Sequence, residues 1–311
     1  MIRFTIGVIA LLIASAGGRA AAQQTPEEFI LYMARAQDLA RQTLADATPH
    51  LGTMIAGTGP SSATATVRPG LGHAALSVGL RGAEFTVANP DYTVDDPSGA
   101  DRVESAVIAA FADASIGLLH RDRGPRATVL AGLDLLLRAG LTLGDQPDIT
   151  RSVDLENLKP IFGGGLRLRL LDGGHAPQVS LAAGASFLTE RRFSARGQLT
   201  EGDVTAPYEV NLSFEESSRF LLLEVGKRFG GFAPYVAMGW VRHHLRASYD
   251  AVVVFDVLAE PQMLANDDVD VRRTDGLICA GFELGSPLGL VLEAGRSAGG
   301  SFGSLFLHLH R

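Results

Sequence analysis

From Leu71 to the end of the chain, apolar and polar positions alternate with a period of two, the mark of strands that show one face to an apolar phase. The clearest stretch runs from Arg126 to Leu143. Val129, Ala131, Leu133, Leu135, Leu137, Ala139, Leu141 and Leu143 share one side of it. Thr128, Leu130, Gly132, Asp134, Leu136, Arg138, Gly140 and Thr142 share the other. A typical globular strand has about 5–6 residues, and this one is far longer. Leu135 and Leu136 are predicted to face opposite ways. An arginine is therefore expected to be tolerated better at Leu136, beside Asp134 and Arg138, than at Leu135.

Shorter segments obey the same rule. Leu76, Val78 and Leu80 oppose Ser77, Gly79 and Arg81, and Leu166, Leu168 and Leu170 oppose Arg167 and Arg169. Val179, Leu181, Ala183, Ala185 and Phe187 oppose Ser180, Ala182, Gly184 and Ser186. Leu221, Leu223 and Val225 oppose Glu224, and Val236, Met238 and Trp240 oppose Tyr235, Ala237 and His243. Ile278, Ala280, Phe282 and Leu284 oppose Glu283; Leu290, Leu292 and Ala294 oppose Glu293; Leu305, Leu307 and Leu309 oppose Phe306, His308 and His310. Short turns are read at Asp122–Pro125, Asp172–Gly174, Gly230-Gly231 and Ser286-Pro287. Long polar connections are read at Gly82–Val103, Gly144–Lys159, Glu190–Ser217 and Asp250–Thr274. The count is about ten strands, within roughly eight to twelve. An even number with alternating short and long connections returns both chain ends to one side.

The N-terminal part reads differently. Met1-Ile2-Arg3, an apolar run from Phe4 to Ala14 and the small residues Ala20 and Ala22 form a signal-peptide pattern over residues 1–22, with cleavage expected between Ala22 and Gln23. The run is too short to span a bilayer as a helix, which takes ~20 apolar residues. Residues 23–60 carry a predicted amphipathic helix and linker. Thr25 caps it, Pro26 and Glu28 suit its first turn, and Phe29, Met33, Ala36, Ala40, Leu44 and Ala47 recur at helical spacing until Pro49. This helix is either a plug or periplasmic handle, or a helix packed on a β core. Residues 61–311 are assigned to the β region.

Composition narrows the picture. The 311 residues include 36 glycines, which suit a turn-rich β protein. The 27 basic residues are scattered and outnumbered by 34 acids, so no nucleic-acid partner is expected. Lys159 and Lys227 are the only lysines, which reads as a genome-composition bias. Cys279 is the only cysteine and cannot form an intramolecular disulfide.

A series of hairpins with one apolar face must hide that face. In water it would need a second sheet or a layer of helices, and only one helix is available. In a bilayer the apolar face meets lipid, and closure pairs every backbone group. The expected fold is all-β, a closed antiparallel up-and-down transmembrane β-barrel. In this the chain resembles the bacterial outer-membrane β-barrel superfamily, on its signal-peptide pattern, its alternation over Leu71–Arg311 and a last strand in which Gly303 precedes Phe306. It departs from the pattern in ending on His310-Arg311 rather than on an aromatic residue, and in having 7% aromatics with Trp240 as the single tryptophan. The resemblance implies a place in the outer membrane of a Gram-negative bacterium. Its implied partners are outer-membrane lipid and lipopolysaccharide and the barrel-assembly machinery. A soluble periplasmic β protein is the alternative.

The mixed faces supply the candidate functional residues: Arg81, Asp134, Arg138, Arg167, Arg169, Glu224, Arg228, His243, Glu283, Glu293, His308 and His310, all expected to face the lumen. They read either as a structural network of acids and arginines or as a polar constriction that selects a small solute. His308 and His310 share a face, but the sequence supplies no third or fourth metal ligand. Gly299-Gly300-Ser301-Phe302-Gly303 matches a nucleophile elbow as a string, yet lies between strands and reads as a hairpin loop. Asp95-Asp96 and Asp267-Asp268 read as solvated loop acids, and Phe162-Gly163-Gly164-Gly165 as a strand bend or close packing. No enzyme activity, cofactor or metal is expected. Two functions remain open: passage of a small polar or weakly hydrophobic solute, and a structural or surface-interaction barrel with a closed interior.

Overall fold

A computed structural model describes residues 73–88, 102–120, 128–143, 159–172, 176–201, 204–254, 261–285, 287–297 and 300–310, together with Thr48 and Gly52. The expected signal peptide and its cleavage site, and the predicted helix from Pro26 to Ala47, lie outside the described residues. Ten strands form: β1 (Ala74–Ala88), β2 (Arg102–His120), β3 (Thr128–Leu143), β4 (Lys159–Asp172) and β5 (Gln178–Glu201), then β6 (Val204–Gly226), β7 (Phe232–Val254), β8 (Pro261–Gly285), β9 (Leu288–Ser297) and β10 (Gly300–His310). Each pairs antiparallel with its sequence neighbours, and β1 pairs with β10, so the sheet closes into a barrel without an edge.

The wall sorts its side chains as the period of two requires. Leu76, Val78, Leu80, Leu166, Leu221, Met238, Trp240, Ile278, Leu305 and Leu307 are exposed on the outside. Ser77, Arg81, Asp134, Arg167, Glu224, His243, Glu293 and His308 are buried inside. A wall whose outer surface is this apolar and whose backbone is fully paired is a transmembrane barrel. Among the described residues no helix is long and apolar enough to cross a membrane; the crossing is made by strands.

One end of the barrel carries the start of β1, the end of β10 and the connections over residues 121–127, 173–177, 227–231 and 286–287. The other end is built differently from the sequence expectation. Glu190–Ser217 and Asp250–Thr274, read as long polar loops, are mostly strand. β5 and β6 stay paired out to Glu201 opposite Val204, and β7 and β8 out to Val254 opposite Pro261. These four strands have 24, 23, 23 and 25 residues, against 10 and 11 for β9 and β10. About 9–11 residues suffice to cross the hydrocarbon core, so β5–β8 rise well beyond it. Above the bilayer no lipid lies against the outer face, so the apolar ladder that marks a strand in the sequence is lost there.

A second difference lies in β3. Its pairing with β4 shifts between Val129 and Gly132, and Leu130 has φ 56°, in the left-handed region. The extra residue reverses the phase below the bulge. Leu130, assigned to the mixed face, is 55% exposed, and Ala131, assigned to the apolar face, is 1% exposed. From Leu133 upward the sequence phase holds.

Candidate functional site

The lumen is filled by side chains in three tiers. In the central tier Arg167 donates from Nε to Asp134 Oδ2 at 2.8 Å and from Nη2 to Ser115 Oγ at 3.0 Å. Its Nη1 stands 4.0 Å from Glu224 Oε2. Arg169 donates to the same Asp134 oxygen at 3.0 Å, and Ser180 donates to Glu224 at 2.9 Å. Arg138 makes a two-point contact with Asp113 on β2. Arg167 on β4 thus reaches β2 and β6, strands it does not pair with, and its side chain is 0% exposed.

Beside this group Arg81 donates to Ser304 Oγ at 2.9 Å and meets Glu293 at 3.3 Å, while Tyr235 donates its hydroxyl hydrogen to Glu293 at 3.0 Å. The Arg81 guanidinium lies 5.5, 5.6 and 5.8 Å from the ring centres of Phe111, Phe302 and Phe306. A weakly hydrated planar cation can be held this way by ring faces as well as by a carboxylate. Gly165 and Gly184 face each other across β4 and β5, and an added Cβ at Gly184 would meet the Phe220 ring, so Gly184 makes room for that ring in the interior.

The tier nearest the start of β1 and the end of β10 holds Glu283. Arg228 donates to it at 2.7 Å, and His308 Nδ1 lies 3.5 Å from its other oxygen. His310 belongs to β10, but its side chain lies outside the described residues. The tier toward the tall rim holds His243. Ser218 Oγ lies 3.1 Å from its Nδ1, Glu216 3.7 Å from the same nitrogen and Asp275 3.8 Å from Nε2. Arg273 donates to Asp275 at 2.9 Å. Thr48 and Gly52 are helical and buried, and a Cβ on Gly52 would run into the His243 ring and the Glu216 carboxylate. Gly52 therefore lies inside the barrel at the level of His243.

The arrangement holds charge away from solvent. Arg81, Arg167, His243, His308, Leu136 and Leu222 are all closed from solvent. Ser218, His243 and Asp275 bring together the residue types of a hydrolytic triad on three adjacent strands, but each is buried and Gly52 sits against the ring. Among the described residues no three His, Cys, Asp or Glu side chains gather closely enough to hold a metal ion. Gly300 to Gly303, read as a hairpin loop, belong to β10.

Eleven of the twelve residues expected in the lumen line it or, as Arg228 does, its mouth. The sequence reading did not single out Asp113, Ser115, Glu216, Ser218 and Asp275 as lumen residues. Asp113 and Ser115 lie on β2, whose outward positions Ala110, Ala112 and Ala114 are too small to mark an apolar face. Glu216 lies in a stretch read as a loop, and Ser218 and Asp275 lie just beyond such stretches.

No family model matches this chain, and no curated protein does. Among solved structures, it is similar to the translocator domain of the autotransporter NalP from Neisseria meningitidis, with 11% identity, 86% of this chain and 99% of that one covered, and a TM-score of 0.44. It is also similar to the outer membrane protease OmpT from Escherichia coli, with 9% identity, 79% and 99% covered, and a TM-score of 0.34. A third is Ail, the attachment invasion locus protein of Yersinia pestis, with 9% identity, 76% and 95% covered, and a TM-score of 0.26. At these identities the likeness is one of fold alone.

Proposed function

We propose that this chain is an outer-membrane β-barrel of a Gram-negative bacterium with a closed interior, a structural or surface-interaction protein that does not conduct solutes in this state. The supporting observation is the reach of Arg167 from β4 to Ser115 on β2 and Glu224 on β6 with no exposure to solvent. An open pore would keep water between strands that do not pair. The tall β5–β8 rim then becomes the part offered to the surroundings, and the short-turn end faces the periplasm. Lipid and lipopolysaccharide surround the apolar band, and the barrel-assembly machinery inserts it. The Ser218, His243 and Asp275 group is read as packing and not as catalysis. Full-length protein in a planar bilayer is expected to give no stepwise conductance. Steady ohmic steps from the wild type would overturn the reading.

A second reading rests on Gly52. Its contact with His243 and Glu216 makes it part of the closure on the rim side. Withdrawal of Gly52 is a route to passage of a small polar or weakly hydrophobic solute. Deleting the chain before His73 separates the two readings. Silence in the bilayer supports a barrel closed by its own wall side chains, and new steps support a displaceable plug.

A further inference from the structure

On the outer wall, the apolar band of β6 and β7 ends at two arginines. Arg219 and Arg242 are exposed and stand directly opposite one another in the strand register. Like charges placed so repel, which lowers stability unless an anion joins them. Further along the same strands the charges are matched. Arg246 meets Glu215 at 3.4 Å, and Asp270 meets His244 and Arg272 at 3.1 Å. At the boundary itself, among the described residues, no carboxylate pairs with Arg219 or Arg242. A third exposed arginine, Arg296, stands opposite Ile278.

Next to the pair, on the membrane side, the wall is hollowed. A groove of about 510 Å³ is lined by Leu221, Leu223, Met238, Trp240, Ile278 and Leu181. Gly276, opposite Trp240, leaves the hollow open: a Cβ there would meet nothing within 4 Å. Trp240, the single tryptophan, is 63% exposed at the edge of the groove. Apolar groove and unmatched cations meet at the level where a lipid changes from acyl chain to headgroup.

We propose that this face binds one phosphorylated glycolipid of the lipid A type, with a phosphate bridging Arg219 and Arg242 and an acyl chain in the groove beside Trp240 and Gly276. The inference rests on the outer-membrane placement above, which puts the tall rim and therefore this boundary in the outer leaflet. Guanidinium pairs suit phosphate because each offers a planar fork of donors. Two opposed forks suit a doubly charged phosphate better than a singly charged diester.

Native mass spectrometry of the refolded barrel in detergent, mixed with bisphosphorylated lipid A, phosphatidylglycerol or phosphatidylcholine, tests it. Wild type is expected to retain one lipid A in preference to either phospholipid. Arg219→Gln and Arg242→Gln, read separately, should each weaken retention by about tenfold, the loss of one charge-assisted contact. Gly276→Trp should block the groove and weaken retention with both arginines in place. Unchanged retention in the arginine variants, or phosphatidylglycerol held as firmly as lipid A, would overturn the proposal. Refolding into lipid vesicles, followed by mobility on unheated gels, is read in parallel. A wild type that does not insert brings down the membrane placement instead.

Discussion

Arg138 grips Asp113 across the β2–β3 boundary with two parallel bonds, Nε to Oδ1 at 2.8 Å and Nη2 to Oδ2 at 2.7 Å. Both side chains are closed from solvent. Taking two ions out of water is expensive, so such a pair adds little net stability, but removing one partner strands the other. Asp113→Ala is expected to cost about 3–5 kcal/mol in urea unfolding from lipid vesicles. The double variant Asp113→Leu with Arg138→Met should recover most of that loss. A single variant as stable as wild type would show that water reaches Arg138.

Leu135 and Leu136 point to opposite sides as the alternation requires, Leu136 into the lumen with Asp134 and Arg138. Leu136 is 0% exposed, so an arginine there would be buried rather than solvated. An arginine facing lipid near the midplane costs about 2–4 kcal/mol. Forcing one into a packed interior also costs several kcal/mol, from overpacking and from an added buried charge. Leu135→Arg and Leu136→Arg are therefore expected to impair folding into vesicles to a similar degree. Leu136→Ala should lower stability by about 2–5 kcal/mol through the cavity it leaves. A harmless Leu136→Arg would reveal a water-filled lumen.

Cys279 reports on the same closure. Its thiol is buried on the inner face of β8, facing Glu293. A maleimide added to the folded barrel is expected to leave it unlabelled, and labelling should appear only as the barrel unfolds. Rapid labelling of the folded form would mean that reagent-sized molecules enter the interior.

The rim hairpin extends past the wall. Beyond the bulge between Leu188 and Arg191, β5 no longer pairs with β4, whereas β6 stays paired with β5 out to Val204 and with β7 out to Tyr208. Replacing residues 194–211 with a short turn is expected to leave the mobility of the folded barrel on unheated gels and its urea midpoint near wild type. Collapse of the barrel would show that the rim holds the wall together.

The closed barrel was legible because lipid imposes one chemistry on one face. Leu76, Val78 and Leu80 repeat without exception over the depth of the bilayer, and the inward arginines then follow by parity. The rim was not legible, since its outer face is polar: Ser213 and Ser248 bond to each other, and Glu215 meets Arg246. Parity also failed at Leu130, where one extra residue enters β3 in a left-handed conformation that a leucine rarely adopts. The aromatic box around Arg81 draws on β1, β2 and β10, and nothing in the spacing along a single strand reveals such company.

The pairing of β1 with β10 has a kinetic side. Arg81 and Ser304 are bonded across that seam yet stand 223 positions apart in the chain. Hairpins such as β3–β4 can form from local encounters, whereas the seam requires the first and last strands to meet. The entropy of closing so large a loop grows only with the logarithm of its length, but it is lost before the contact returns anything. Until β10 arrives, β1 presents an unpaired edge open to any passing strand. The eleven residues from Gly300 to His310 therefore time the whole process: the last strand must dock before the edge can be retired.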